Sequence, residues 1–274
     1  MAKFEILTHL RRTDDVTPAA RAGLQLAKRL DAWVLGLYVV PIAPAAFASP
    51  EAVAVHVHEA DQLYAEALER AQWWRGQLDG HGLAGEWQVS QGDTVEALCH
   101  AARWCDLVVM ERPQSNPDAP TGWGVVSRTV FGAATPVVVV PETARLDSLG
   151  TRVLIAWNHS RESNLAIREA LPLLVRAENV TVLAGDPAEN PFGLRYLPKL
   201  DLDAWLKRRG VNARFRAFKP ERNHGAALLD AAHAVDADLI VMGAWGHSRV
   251  SELVLGGCTR HLFQTSDLPL LVAH

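Results

Sequence analysis

The residues best suited to chemistry lie between Met242 and Arg260, in the run Met-Gly-Ala-Trp-Gly-His-Ser-Arg-Val-Ser-Glu-Leu-Val-Leu-Gly-Gly-Cys-Thr-Arg. An apolar segment, Leu239-Ile240-Val241, precedes the run and reads as a buried parallel strand. Gly243 and Gly246 follow it, nine residues separate Gly246 from Gly256, and Gly257 and Thr259 come next. Glycines just past a strand let the backbone turn and approach a ligand with no Cβ in the way. The second glycine pair opens a helix, where unpaired N–H groups and a hydroxyl form an anion site. Two readings fit this spacing: a two-part phosphate cradle, or a glycine turn followed by an ordinary helix start.

Such a loop needs a strand behind it and a helix ahead, and the chain supplies that unit twice. Strands are expected at Phe4 to Leu7, Trp33 to Val40, Glu86 to Ser90, Leu107 to Met110 and Pro136 to Val140. Between them fall a helix opened by Thr17-Pro18, one long helix over 51–79, a helix from Thr94 and another near Val125. The second half repeats the plan, with strands at Arg152, Val180, Arg214, Leu239 and Pro269, and a Ser160-capped helix reaching about Arg176. Asp106-Leu-Val-Val-Met110 matches Asp238-Leu-Ile-Val-Met242, Ser127-Arg128 matches Thr259-Arg260, and Phe131 matches Phe263, all offset by 132 residues. Alternating strands and helices imply an α/β protein: two tandem domains, each a five-stranded parallel sheet with helices on both faces. The expected limits are 1–141, a polar linker over 142–150, and 151–274. In such sheets a ligand sits past the carboxyl ends of the strands where strand order reverses. In the second half that point falls at Trp157-Asn158-His159 and Gly243 to Arg249.

Composition narrows the function classes. The 274 residues carry a net charge of −4, with 27 basic and 31 acidic side chains, which argues against a nucleic-acid partner. No apolar run approaches the ~20 residues of a membrane span, and the N-terminus enters a strand pattern with no signal-like segment. Cys99, Cys105 and Cys258 have no metal-ligand spacing and fit reduced thiols, so a cytoplasmic location is expected.

The gap-free offset also exposes what the first half lacks. Gly243 aligns with Glu111, Gly246 with Gln114 and Gly257 with Val125, while Gly256 keeps Gly124. Like charges ~4 Å apart cost about 4 kcal/mol at an effective dielectric near 20, roughly a thousand-fold in affinity for a polyphosphate. Pro113 removes a backbone donor from the same loop. The first half is therefore expected to bind no nucleotide, unless Glu111 merely points to solvent.

Gly-x-x-Gly, nine residues, then Gly, a small residue and Thr before a Pro-apolar strand resembles the universal stress protein family in its tandem, two-domain form. Val153-Leu-Ile-Ala-Trp-Asn-His-Ser resembles the family's first strand and loop. The resemblance implies a Rossmann-like, adenine nucleotide alpha hydrolase-like fold. It also implies ATP or another adenine nucleotide as ligand and dimers through the last strand, formed internally here as a pseudo-dimer of Pro136 to Val140 with Pro269 to Ala273. Further pairing into a homodimer is the other option. The resemblance assigns phosphate contacts to Gly243, Gly246, Gly256, Gly257, Cys258 and the Thr259 hydroxyl. It sets Ala156 and Asn158 beside the nucleoside, Ala184 near adenine and Met242 as the pocket floor.

Three departures accompany it. Asn158 replaces the usual acid and is a poorer magnesium ligand than a carboxylate. Gly257 replaces a Ser or Thr. Cys258 replaces an apolar residue, as a small hydrophobe or as a redox-sensitive thiol.

Arg249 is the better phosphate partner than Arg260, whose counterpart Arg128 lies in the half expected to be empty. His247 could act on a terminal phosphate or be solvated, and Trp157 and Trp245 could stack on adenine or pack at the rim. His56 and His58 are two apart, so they do not share a helix face as metal ligands would.

The sequence offers no paired carboxylates, no nucleophile beside a base and no Walker lysine at the cradle. The expectation is a stress-response regulatory protein whose nucleotide state an unknown protein partner reads, with at most slow ATP hydrolysis. The alternatives are a scaffold that has lost ligand binding in both halves, and an enzyme on the same architecture.

Overall fold

The computed structural model describes residues 3–42, 50–113, 124–185, 198, 201–221, 223–244 and 257–274. The chain divides into two compact units, Met1–Leu146 and Asp147–His274.

In the N-terminal unit the strands are β1 (Glu5–Leu10), β2 (Trp33–Pro41), β3 (Gly85–Gly92), β4 (Leu107–Arg112) and β5 (Val137–Pro141). Its helices are α1 (Pro18–Leu30), α2 (Pro50–Glu69), α3 (Ala71–His81), α4 (Thr94–Ala102) and α5 (Val125–Gly132). The strands lie in the order β3-β2-β1-β4-β5, every pair parallel. The C-terminal unit has β6 (Arg152–Trp157), β7 (Asn179–Ala184), β8 (Ala213–Ala217), β9 (Leu239–Gly243) and β10 (Leu270–Ala273), in the order β10-β9-β6-β7-β8, again parallel. Its helices are α6 (Arg161–Glu169), α7 (Leu171–Leu174), α8 (Leu202–Arg208), α9 (His224–His233) and α10 (Gly257–Thr265). The near-continuous apolar strands are those of sheets buried on both faces: Leu107 to Met110 and Leu239 to Met242 are each at most 4% exposed.

The repeated aspartate has a structural task. The Glu5 amide donates to Asp106 at 2.8 Å, and the Thr151 and Arg152 amides donate to Asp238 at 3.0 and 3.1 Å. Each carboxylate thus pins the start of its unit's first strand beside the fourth, and so fixes the register at their far ends.

Two helices are shorter than the sequence pattern suggests. The helix expected over 51–79 is broken at Arg70 into α2 and α3. There the Arg70 amide closes onto the Ala67 carbonyl, and the Trp87 indole N–H donates to the same oxygen at 2.8 Å. Past the break, α3 lays Trp74, fully buried, over Gly36, where a Cβ would come within 2.5 Å of the indole. The Ser160-capped helix stops at Glu169 rather than near Arg176, because Pro172 has no N–H for the next turn and α7 starts afresh. Thr17 and Pro18 open α1 as expected, the Thr17 hydroxyl accepting from the Ala20 amide at 3.3 Å. Among the described residues no helix is long and apolar enough to cross a membrane.

Candidate functional site

In the C-terminal unit the chain runs outward from β6 through β7 to β8 and then returns to β9 on the other side of β6. The crevice past the carboxyl ends of β6 and β9 is therefore the switch point at which such sheets hold ligands. Five predicted residues lie there by register: Ala156 is opposite Met242, Trp157 is opposite Ala184, and Gly243 ends β9. Ala156 and Ala184 are small and partly exposed, and Met242 is buried.

The loop from Asn158 to Ser160 is short and tightly held. The Ser160 amide donates to Asn158 Oδ1 at 3.2 Å, and the Ser160 hydroxyl caps α6 by accepting from the Ser163 amide at 3.1 Å. This short link draws the start of α6 onto the end of β9. A Cβ on Gly243 would fall 2.4 Å from both the Glu162 carbonyl carbon and the Ser163 nitrogen. Glycine is thus required at 243 by helix–strand packing, whether or not a ligand approaches. Gly257 is different: it is exposed at the start of α10, and among the described residues a Cβ there would meet nothing within 4 Å. The early amides of α10 lack intrahelical partners, as at any helix start. Thr259 is buried in that turn. Burial pushes the Cys258 thiol up to about 11, which favours the small-hydrophobe reading of that residue over a reactive thiolate. Gly246, Arg249 and Gly256, with Trp245 and His247, lie outside the described residues.

The same positions in the N-terminal unit follow from strand register. Ile6 pairs with Leu107 as Val153 pairs with Leu239, so His9 stands where Ala156 stands, and Arg11 where Asn158 stands. Leu10 pairs with Tyr38 as Trp157 pairs with Ala184, so Tyr38 stands for Ala184. Glu111 does not point to solvent: its side chain is 1% exposed and accepts a hydrogen bond from Arg11 Nη1 at 3.2 Å. Arg11 offsets part of the charge that was expected to repel phosphate, so what remains at that position is chiefly bulk. His9 is fully enclosed, and burial, helped by the Arg11 charge, lowers its pKa to about 4. The connection from β1 to α1 is longer than that from β6 to α6, and position 111 carries a buried Glu where α6 abuts Gly243. Tyr38, His9 and Arg11 escaped the sequence reading because the gap-free repeat covers only the later strands. Anchoring both first strands on Asp106 and Asp238 would have exposed them.

Trp157 is 7% exposed and its indole N–H donates to Asn164 Oδ1 at 2.9 Å, so it packs against α6 rather than offering a face to adenine. Arg128 reaches the Asp93 carboxylate at 3.7 Å, a structural contact at the cap of α4, while Arg260 is exposed. His58 lies 3.1 Å from Gln62, and among the described residues no three His, Cys, Asp or Glu side chains cluster to hold a metal.

The model of the Universal stress protein family matches this chain twice, over residues 8–141 and 151–274. The chain belongs to the universal stress protein family. Solved structures of universal stress proteins share its fold across both units. One from Archaeoglobus fulgidus DSM 4304 is 17% identical, covers 98% of this chain and 97% of its own, and has a TM-score of 0.71. A putative one from Pseudomonas aeruginosa UCBPP-PA14 is 16% identical over 99% and 93%, with a TM-score of 0.58. A family protein from Arabidopsis thaliana, solved with AMP bound, is 14% identical over 53% of this chain and 97% of its own, with a TM-score of 0.34. Among curated proteins none is significantly similar in sequence. This universal stress protein is thus a tandem of two family domains whose crevices are furnished differently.

Proposed function

We propose that this tandem universal stress protein binds one adenine nucleotide, ATP being the expected ligand, in its C-terminal unit alone, and that a protein partner reads the bound state. One observation carries the reading. At equivalent register the C-terminal unit has the small residues Ala156 and Ala184, where the N-terminal one has the larger His9 and Tyr38. Ala156 and Ala184 leave more room for a base and sugar than His9 and Tyr38 would, and the early amides of α10 at Gly257 and Cys258 are offered to phosphate. Ala156 and Asn158 would flank the nucleoside, Ala184 the adenine and Met242 the floor. Gly246, Arg249, Gly256 and Thr259 would complete the phosphate contacts. Asn158 spends its carbonyl oxygen on its own turn, which supports binding without magnesium at that side chain. The role is regulatory, with hydrolysis slow and incidental.

The competing reading is a scaffold that binds no nucleotide in either unit. It is favoured by Gly243, whose lack of a side chain is already demanded by α6. Thermal unfolding with and without ATP separates the two. A ligand of the native state at a hundred times its Kd adds about 2.7 kcal/mol, a Tm rise of several degrees. An unchanged Tm at millimolar ATP would leave only the scaffold.

A further inference from the structure

Next to Asn158 the chain places a histidine in a backbone conformation that side chains rarely adopt: His159 has φ +62. A non-glycine residue persists there only where its surroundings hold it, and such residues cluster at functional sites. The holding contacts are visible. The imidazole stacks on the Trp157 indole with ring centroids 3.7 Å apart and planes 35° from parallel. Trp157 is in turn locked to α6 through Asn164. Neither ring nitrogen of His159 meets a partner among the described residues, although the ring is only partly exposed, and burial lowers its pKa. A neutral imidazole offers one donor and one acceptor. The turn also lies close to the end of β9, because Ser160 caps the Ser163 amide that abuts Gly243. A glycine would serve this turn with less strain, so the ring itself needs an explanation, and a ligand supplies one.

We propose that His159 is a ligand-contacting residue of the C-terminal crevice, its stacked imidazole hydrogen-bonding the phosphate-bearing end of the nucleotide. This rests on nucleotide binding by that unit. Trp157 is then a positioning residue that holds the ring over the crevice in advance of the ligand, which reduces the ordering cost of binding.

The test compares ATP and adenosine affinities, by calorimetry on the full chain, for wild type, His159→Ala and His159→Gly. A hydrogen bond to a charged group predicts about a ten-fold loss of ATP affinity in both variants, with adenosine affinity unchanged. His159→Gly relieves the backbone, so a Tm no lower than that of His159→Ala shows that the loss belongs to the missing ring rather than to a collapsed turn. Wild-type ATP affinity in both variants, or equal losses for ATP and adenosine, would overturn the inference while leaving the nucleotide site standing. Absence of ATP binding to wild type would overturn both.

Discussion

At the end of β6 the chain sets Ala156 and Asn158, and α6 follows almost at once. At the end of β1 it sets His9 and Arg11, and α1 starts only after a longer connection. The consequence appears on the neighbouring strand. Beside β6 the helix start presses so closely that position 243 tolerates no side chain. Beside β1 the equivalent position holds Glu111, buried and paired with Arg11. The two crevices thus differ through a loop length as much as through the residues that line them.

Exchanging residues between the units sharpens this comparison. The largest effect is expected for Gly243→Glu, which copies the N-terminal residue into a site where even the Cβ meets backbone at 2.4 Å. Overpacking of one methyl costs about 1 to 3 kcal/mol, and a carboxylate adds burial without a partner, so a loss of more than about 3 kcal/mol is expected. Denaturant unfolding of the C-terminal unit would measure it, and a loss below ~1 kcal/mol would break the packing account.

Acid should weaken the N-terminal unit through His9. His9 has its pKa lowered from 6.5 to about 4 in the folded state. Below 6.5 the unfolded chain takes up the proton first, so stability present above that pH drains away as pH falls toward 4. The expected loss is on the order of 3 kcal/mol. In His9→Leu this component of the acid dependence should vanish; a pH profile identical to wild type would refute it.

Glu111→Gln is expected to cost about 1 kcal/mol, because the carboxylate is buried but Arg11 is 40% exposed and can turn to water. Urea midpoints of the two chains would show it. Smallest is Gly257→Ser, which restores the hydroxyl common in the family. Since among the described residues nothing lies within 4 Å of a Cβ at that position, the stability change should stay within about 0.5 kcal/mol. A loss of several kcal/mol would mean that the start of α10 is packed rather than open.

Much of this was legible from residue order. The alternation of strands and helices, the Asp-Leu-x-Val-Met repeat and the Thr17-Pro18 and Ser160 helix starts all rest on local chemistry, and local chemistry is what a sequence displays. The helix breaks at Arg70 and before Pro172 are instructive opposites. Pro172 carries its own signal, whereas the Arg70 break depends on Trp87 capturing a carbonyl from a distant strand. Glu111 was expected to repel phosphate or to point to solvent; the structure buries it, and its partner Arg11 was not legible because it lies a hundred residues away. Gly243 carried an apparent ligand signature with a second cause, the approach of α6, that no spacing rule reveals. Arg249, Gly246 and Gly256 remain proposals from the motif alone.

The central claim is that nucleotide occupies one crevice of the two, and transplanting one side chain tests it most directly. Ala184→Tyr installs in the C-terminal crevice the residue that stands at the same register in the N-terminal one. Titration calorimetry with ATP should give about one nucleotide per wild-type chain and no saturable binding in the variant. Two nucleotides per wild-type chain, or undiminished binding in Ala184→Tyr, would contradict the account.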